Sequence, residues 1–243
     1  HCLRQAMYDE DGRDWGPEPR AWDDRTNEEN VVAPPQEKEN EGPQPVNLPG
    51  LGLPMLLWQT GSVAGSVWAS GGVLLDRVAS EPALLSGKRI LELGSGTGYV
   101  GLACDRLLSR SDSNCGHRIT LTDLPHAVPL LLKNIKLNCS SHVEASPLAW
   151  GTADVDAFAA QFDVVIMADV AYRPDLIQPL AATLHAICGP ETTVLHAWRD
   201  RIGFMHFKPM FFDQLTELGF AHELVCSRGD CELWRHCPLR GTP

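Results

Sequence analysis

Arg89-Ile90-Leu91-Glu92-Leu93-Gly94-Ser95-Gly96-Thr97-Gly98-Tyr99-Val100-Gly101 joins a short apolar run to a glycine-rich turn and then to an apolar helical pattern running from Tyr99 to Leu108. Strand, tight turn and helix in that order make a βα unit whose helix start presents unpaired N–H groups to an anion. Two ligand classes fit such a turn, one carrying a pyrophosphate and one an amino-acid carboxylate. Glu92 sits just before the turn, where an acid repels pyrophosphate and serves the polar parts of a cationic ligand. The overlapping register Gly96-x-Gly98-x-x-Gly101 satisfies the dinucleotide fingerprint and keeps a nicotinamide-dependent oxidoreductase open as the alternative.

Outward from this unit the pattern repeats. Strands are predicted at 117–122, 143–150, 162–168 and 192–198, separated by helical stripes at Val128, Leu131, Leu132 and Ile135, at Leu176 or Ile177, Leu180, Leu184 and Ile187, and at Phe211, Leu215 and Leu218. An earlier strand over 53–58 and a helical stripe Val67, Gly71, Leu74, Val78 come first, and 220–227 with 231–236 read as a closing hairpin around Arg228-Gly229-Asp230. Strands alternating with helices predict an α/β fold with a doubly wound, mostly parallel seven-stranded sheet, closed by an antiparallel C-terminal hairpin.

Residues 1–50 hold 12 acidic and five basic side chains and seven of the 18 prolines, so they are expected to form a disordered acidic tail ahead of one domain over 51–243. The rest of the net charge of −11 is thinly spread, with no basic face for a phosphate backbone, which argues against nucleic acid as partner. No apolar run approaches the ~20 residues of a membrane span, and the eight cysteines include no C-x-x-C pair. A cytoplasmic monomer, with the nucleus as a second compartment and no membrane partner, is the expectation. No metal is expected either, since Cys226, Cys231, His236 and Cys237 fit no common zinc frame.

Candidate site residues follow from position. Asp123 ends the second strand of the unit, where a carboxylate can accept ribose hydroxyls or cap the following helix. Asp169 and Tyr172 follow the fourth strand, at the sheet edge where open α/β folds bind ligands. There Asp169 can hold an ammonium and Tyr172 can offer a ring face, or Asp169 can cap the helix near Pro174.

Val67-Trp68-Ala69-Ser70, the 90–101 segment, Leu121-Thr122-Asp123, Asn134 with Asn138, Trp150-Gly151 and Ala168-Asp169-Val170-Ala171-Tyr172 together resemble the successive motifs of methyltransferase family sixteen. These are the methyltransferase-like group of seven-β-strand, class I protein-lysine N-methyltransferases, and the similarity spans about residues 58–236. It implies a S-adenosyl-L-methionine-dependent enzyme that methylates a lysine of a protein substrate. On that resemblance Trp68, Glu92, Gly94, Ser95, Gly96, Asp123, Trp150 and Ala168 are the cofactor-binding candidates, and Asp169 and Tyr172 the catalytic ones. Ser70-Gly71-Gly72 departs from the family's alanine-rich stretch, and a non-catalytic interaction protein that keeps the fold is the second alternative.

Overall fold

A computed structural model describes residues 42–48, 54–111, 116–138, 140–200 and 207–239. The expected tail lies outside these residues up to position 41. Part of its C-terminal end does not behave as a tail: β1 (Gln44–Val46) pairs antiparallel with β2 (Met55–Leu57) in a two-stranded ribbon. Met55 and Leu57 are fully buried, and their burial is what anchors so short a ribbon.

The ribbon is followed by α1 (Gly71–Ser80), β3 (Arg89–Leu93), α2 (Tyr99–Ser111), β4 (Arg118–Asp123), α3 (Val128–Leu137) and β5 (Val143–Pro147). Then come β6 (Val164–Ala168), α4 (Pro174–Ile187), β7 (Thr193–Arg199), α5 (Phe207–Glu217), β8 (Phe220–Arg228) and β9 (Cys231–Pro238). The main sheet has seven strands in the order β5-β4-β3-β6-β7-β9-β8. Strands β3 to β7 pair in parallel, while β9 runs antiparallel to both β7 and β8. The chain first winds outward from β3 to β5, then returns to place β6 on the other flank of β3. That reversal is the switch point at which a crevice opens beyond the strand ends.

Two apolar layers hold the sheet. Leu74, Val78, Leu102, Leu108 and Leu121 belong to one, built with α1 and α2; Leu93, Met167, Leu180, Leu184 and Phe211 belong to the other, built with α4 and α5. β6 is buried along four of its five residues, as its near-continuous apolar run requires of a central parallel strand. Among the described residues no helix is long and apolar enough to cross a membrane.

Several expectations are corrected. α1 begins at Gly71, so Val67 and Trp68 precede the helix. α3 starts at Val128 behind Ala127, five residues after Asp123, and a turn intervenes, so Asp123 does not cap it. Arg173 stands at the cap position of α4 with no side-chain cap bond, so Asp169 is not a helix cap. Leu132 is 53% exposed rather than part of the α3 stripe. The fully buried Asn134 holds that helix instead: its amide bonds Trp58 N at 2.7 Å, Trp58 O at 3.0 Å and Thr97 O at 2.8 Å, joining ribbon, helix and glycine turn. Asn138 donates to Leu56 O at 3.0 Å and completes the attachment.

Candidate active site

A cleft of about 420 Å³ opens at the C-terminal ends of β3, β4 and β6. All ten candidate residues line it: Trp68, Glu92, Gly94, Ser95, Gly96, Asp123, Trp150, Ala168, Asp169 and Tyr172. They come from positions as far apart as 68 and 172, and the crossover between β5 and β6 brings the last three to the first seven.

The floor is the glycine turn. Gly96 has φ of +55°, and a Cβ there would lie 2.7 Å from the carbonyl oxygen of Ala64, so no side chain fits between the turn and the 60–66 loop above it. Its N–H donates to Asp123 Oδ2 at 2.8 Å, while Leu124 N–H donates to Asp123 Oδ1 at 2.7 Å. Each oxygen thereby keeps one acceptor site for a ligand hydroxyl. The Ser95 hydroxyl is spent inside the protein: it accepts from Thr122 N at 3.0 Å and bonds Glu92 O at 3.3 Å. Ser95 therefore fastens the turn to β4, through its backbone as well, since its N–H donates to Thr122 O at 2.9 Å and its carbonyl accepts Gly98 N–H at 2.7 Å.

Glu92 is 3% exposed and accepts the Gly101 N–H at 2.9 Å. Burial, reinforced by the nearby Asp123 carboxylate and opposed by the Gly101 and Ser95 bonds, pushes its pKa up to about 8. Gly101 explains the second glycine register. A Cβ at that position would meet Leu121 Cδ2 at 2.3 Å and Glu92 Oε2 at 2.5 Å, so this glycine serves helix-to-sheet packing rather than a phosphate.

Trp150 stands over Gly94, whose added Cβ would lie 3.2 Å from Cζ2 of the indole and 2.8 Å from Val170. Asp169 has φ of +60° and donates its N–H to Ala197 O at 3.0 Å. Left-handed backbone on a non-glycine residue costs on the order of 1 kcal/mol, least for Asp and Asn, and is retained here by the β7 contact at the end of β6. Tyr172 is half-buried, which raises its phenol above the ordinary value.

Sequence reasoning missed the 60–66 loop, which contributes Ser62, Val63, Ala64 and Ser66, as well as His126, Leu176 and Pro179. The loop is closed by Thr60 N donating to Gly65 O at 2.9 Å; its Gly and Ser content marks a turn but not what the turn covers.

The donor set tests which cofactor fits. Among the described residues the lining includes three acidic side chains, Glu92, Asp123 and Asp169, and no lysine or arginine. Such a cleft suits a net-cationic ligand carrying a sugar, and it repels a pyrophosphate. This chemistry on a sheet of seven strands with one antiparallel member defines a class I, Rossmann-like methyltransferase.

The comparisons narrow the class. The chain belongs to the lysine methyltransferase family, whose model matches residues 53–218. It is 35% identical over 175 residues to EEF1A lysine methyltransferase 3 of Xenopus tropicalis, covering 70% of this chain and 72% of that one. It is 32% identical over 194 residues to protein-lysine N-methyltransferase EFM6 of Saccharomyces cerevisiae, covering 69% and 78%. A solved O-methyltransferase family protein of Burkholderia thailandensis shares the fold with a TM-score of 0.54 at 16% identity, covering 68% of this chain and 55% of that one. The protein is a methyltransferase dependent on S-adenosylmethionine, and the nicotinamide alternative falls away.

Proposed function

We propose that the cleft carries out methylation of a lysine in a protein substrate, with the cofactor held by Trp68, Glu92, Gly94, Ser95, Gly96, Asp123, Trp150 and Ala168. The observation that carries this reading is the cleft whose described residues include three acidic side chains and no lysine or arginine, at the switch point of the sheet. Asp123 accepts the ribose hydroxyls on its two remaining acceptor sites, and Trp150 flanks the adenine. The backbone of 94–96 surrounds the amino-acid end, near which Glu92 supplies a carboxyl whose ionisation a cationic ligand would favour. When bound, S-adenosylmethionine supplies an activated methyl group to an in-line nucleophile.

The protein's task is then to position an amine and unload its proton. Lysine has a reference pKa near 10.4 and must be neutral to attack. Asp169 holds the amine and passes its proton to water, while Tyr172 presents its ring to the ammonium and Val170 and Leu176 keep the approach apolar. The left-handed backbone at Asp169 fixes where that carboxylate stands.

Asp169→Asn tests the assignment, because Asn tolerates the same backbone conformation and removes only the charge. Lysine methylation should fall by at least ~100-fold, with cofactor binding by calorimetry kept within a few-fold. Near-wild-type turnover would refute the role of Asp169. The Xenopus relative is named for EEF1A, and that protein is the first substrate to offer, beside a lysate supplied with labelled donor and read by mass spectrometry. We take the working enzyme to be a monomer acting in the cytoplasm or nucleus, which size-exclusion chromatography and cell fractionation would check.

A further inference from the structure

We propose that Asp105, His117 and His142 form a second site, for a divalent transition metal of the zinc class, at the edge of the sheet opposite the cleft. Asp105 lies on α2, His117 immediately precedes β4 and His142 immediately precedes β5. The two histidines therefore sit at the N-terminal ends of parallel strands whose C-terminal ends line the cleft, and Asp105 reaches them from α2.

The side chains converge. His117 Nε2 lies 2.7 Å and His142 Nδ1 3.2 Å from the same oxygen, Asp105 Oδ1, and all three ligand atoms fall within 4.8 Å of one another. Tetrahedral coordination at ~2.0–2.1 Å per bond places ligand atoms about 3.3 Å apart, so the triangle closes on an ion with side-chain adjustment alone. The other carboxylate oxygen, Oδ2, accepts the Ser140 hydroxyl at 2.6 Å. That bond orients the carboxylate so that Oδ1 faces both imidazoles, as supporting hydrogen bonds do for metal ligands generally. His117 is fully buried, whereas the His142 side chain is 31% exposed. One side of the cluster is thus dry and the other is open to entry of the ion and to a water as fourth ligand.

Two imidazoles and one carboxylate select zinc-like ions over calcium or magnesium, which prefer sets of oxygens. Bound there, the ion would join α2 to the starts of β4 and of β5, the edge strand of the sheet. Its contribution is a clamp on that corner of the fold, separate from catalysis.

Chelator-stripped full-length protein titrated with Co²⁺ should show d–d absorption saturating at one ion per chain, without the charge-transfer band of a cysteine thiolate. Zn²⁺ should displace the cobalt and raise the thermal unfolding midpoint. His142→Ala should weaken Zn²⁺ at least 10-fold by competition calorimetry. Ser140→Ala, which leaves every ligand in place, should weaken it by about 10-fold. Absence of saturable one-to-one binding, unchanged affinity in both variants, or a thiolate band would each overturn the proposal.

Discussion

Replacing Glu92 by Gln probes the feature that most distinguishes this cleft, a carboxyl held protonated by burial. Its folded pKa of about 8 lies above the ordinary value of 4.5, so the folded chain binds up to one more proton than the unfolded chain between those limits. Stability contributed by this group is therefore fully present below pH 4.5 and is lost as pH rises towards 8, at about 1.4 kcal/mol per pH unit. The most useful window is pH 6.5 to 8, read as the difference between wild type and Glu92→Gln so that the contributions of the buried histidines, which both proteins share, cancel. There the ligand-free wild type should lose about 1.5 kcal/mol, which for a domain of this size is about 3–6 °C in unfolding midpoint. Gln keeps an acceptor for the Gly101 N–H but has no charge, so Glu92→Gln should show no such decline. A cationic cofactor favours the ionised carboxyl, so binding at pH 7 should release close to one proton from the wild type and none from the variant. Calorimetry in buffers of different ionisation enthalpy reads that proton directly. Parallel stability curves for the two proteins, together with equal proton release, would refute the placement of a protonated Glu92 under the cofactor.

Two further changes test other links. His196 is fully buried with both ring nitrogens unpartnered, packed edge-on against Trp198 and Phe211, and burial lowers its pKa to about 3. His196→Leu should stabilise the fold by about 1 kcal/mol at pH 7.5 by removing orphaned polar atoms. The gain should grow by about 1.4 kcal/mol per pH unit below 6.5, where the unfolded wild type takes up a proton that the folded state refuses; urea denaturation at pH 7.5 and 5.5 would show it, and an unchanged difference would count against it. Gly96→Ala should lose cofactor binding by more than 10-fold and cost about 1–2 kcal/mol, since the new methyl combines a left-handed φ with a collision against the Ala64 carbonyl. Calorimetry and thermal unfolding check both halves.

Asn134 shows how far a motif can be legible and its reason hidden. The sequence marks it as a motif member on an apolar helix stripe, but not that its amide joins Trp58 to Thr97, because those partners are 76 and 37 residues away. Ser95 is a milder case: it belongs in the turn as expected, yet its hydroxyl belongs to β4. Residues 44–46 look like tail by composition and become a strand only because Met55 and Leu57 bury beside them. The orphaned His196 and the meeting of Asp105, His117 and His142 left no trace in local pattern at all.

The amino-acid order by itself determined the strands and helices of the main sheet to within a few residues, the glycine turn and the identity of the residues at strand ends, because periodicity and backbone preference act over a few positions. Tertiary structure alone decided which of those ends share one cleft, that β9 inserts between β7 and β8, and how deeply Glu92 is buried. Those outcomes depend on how crossovers reverse and how layers pack, and the energies involved come from contacts between residues far apart in the chain.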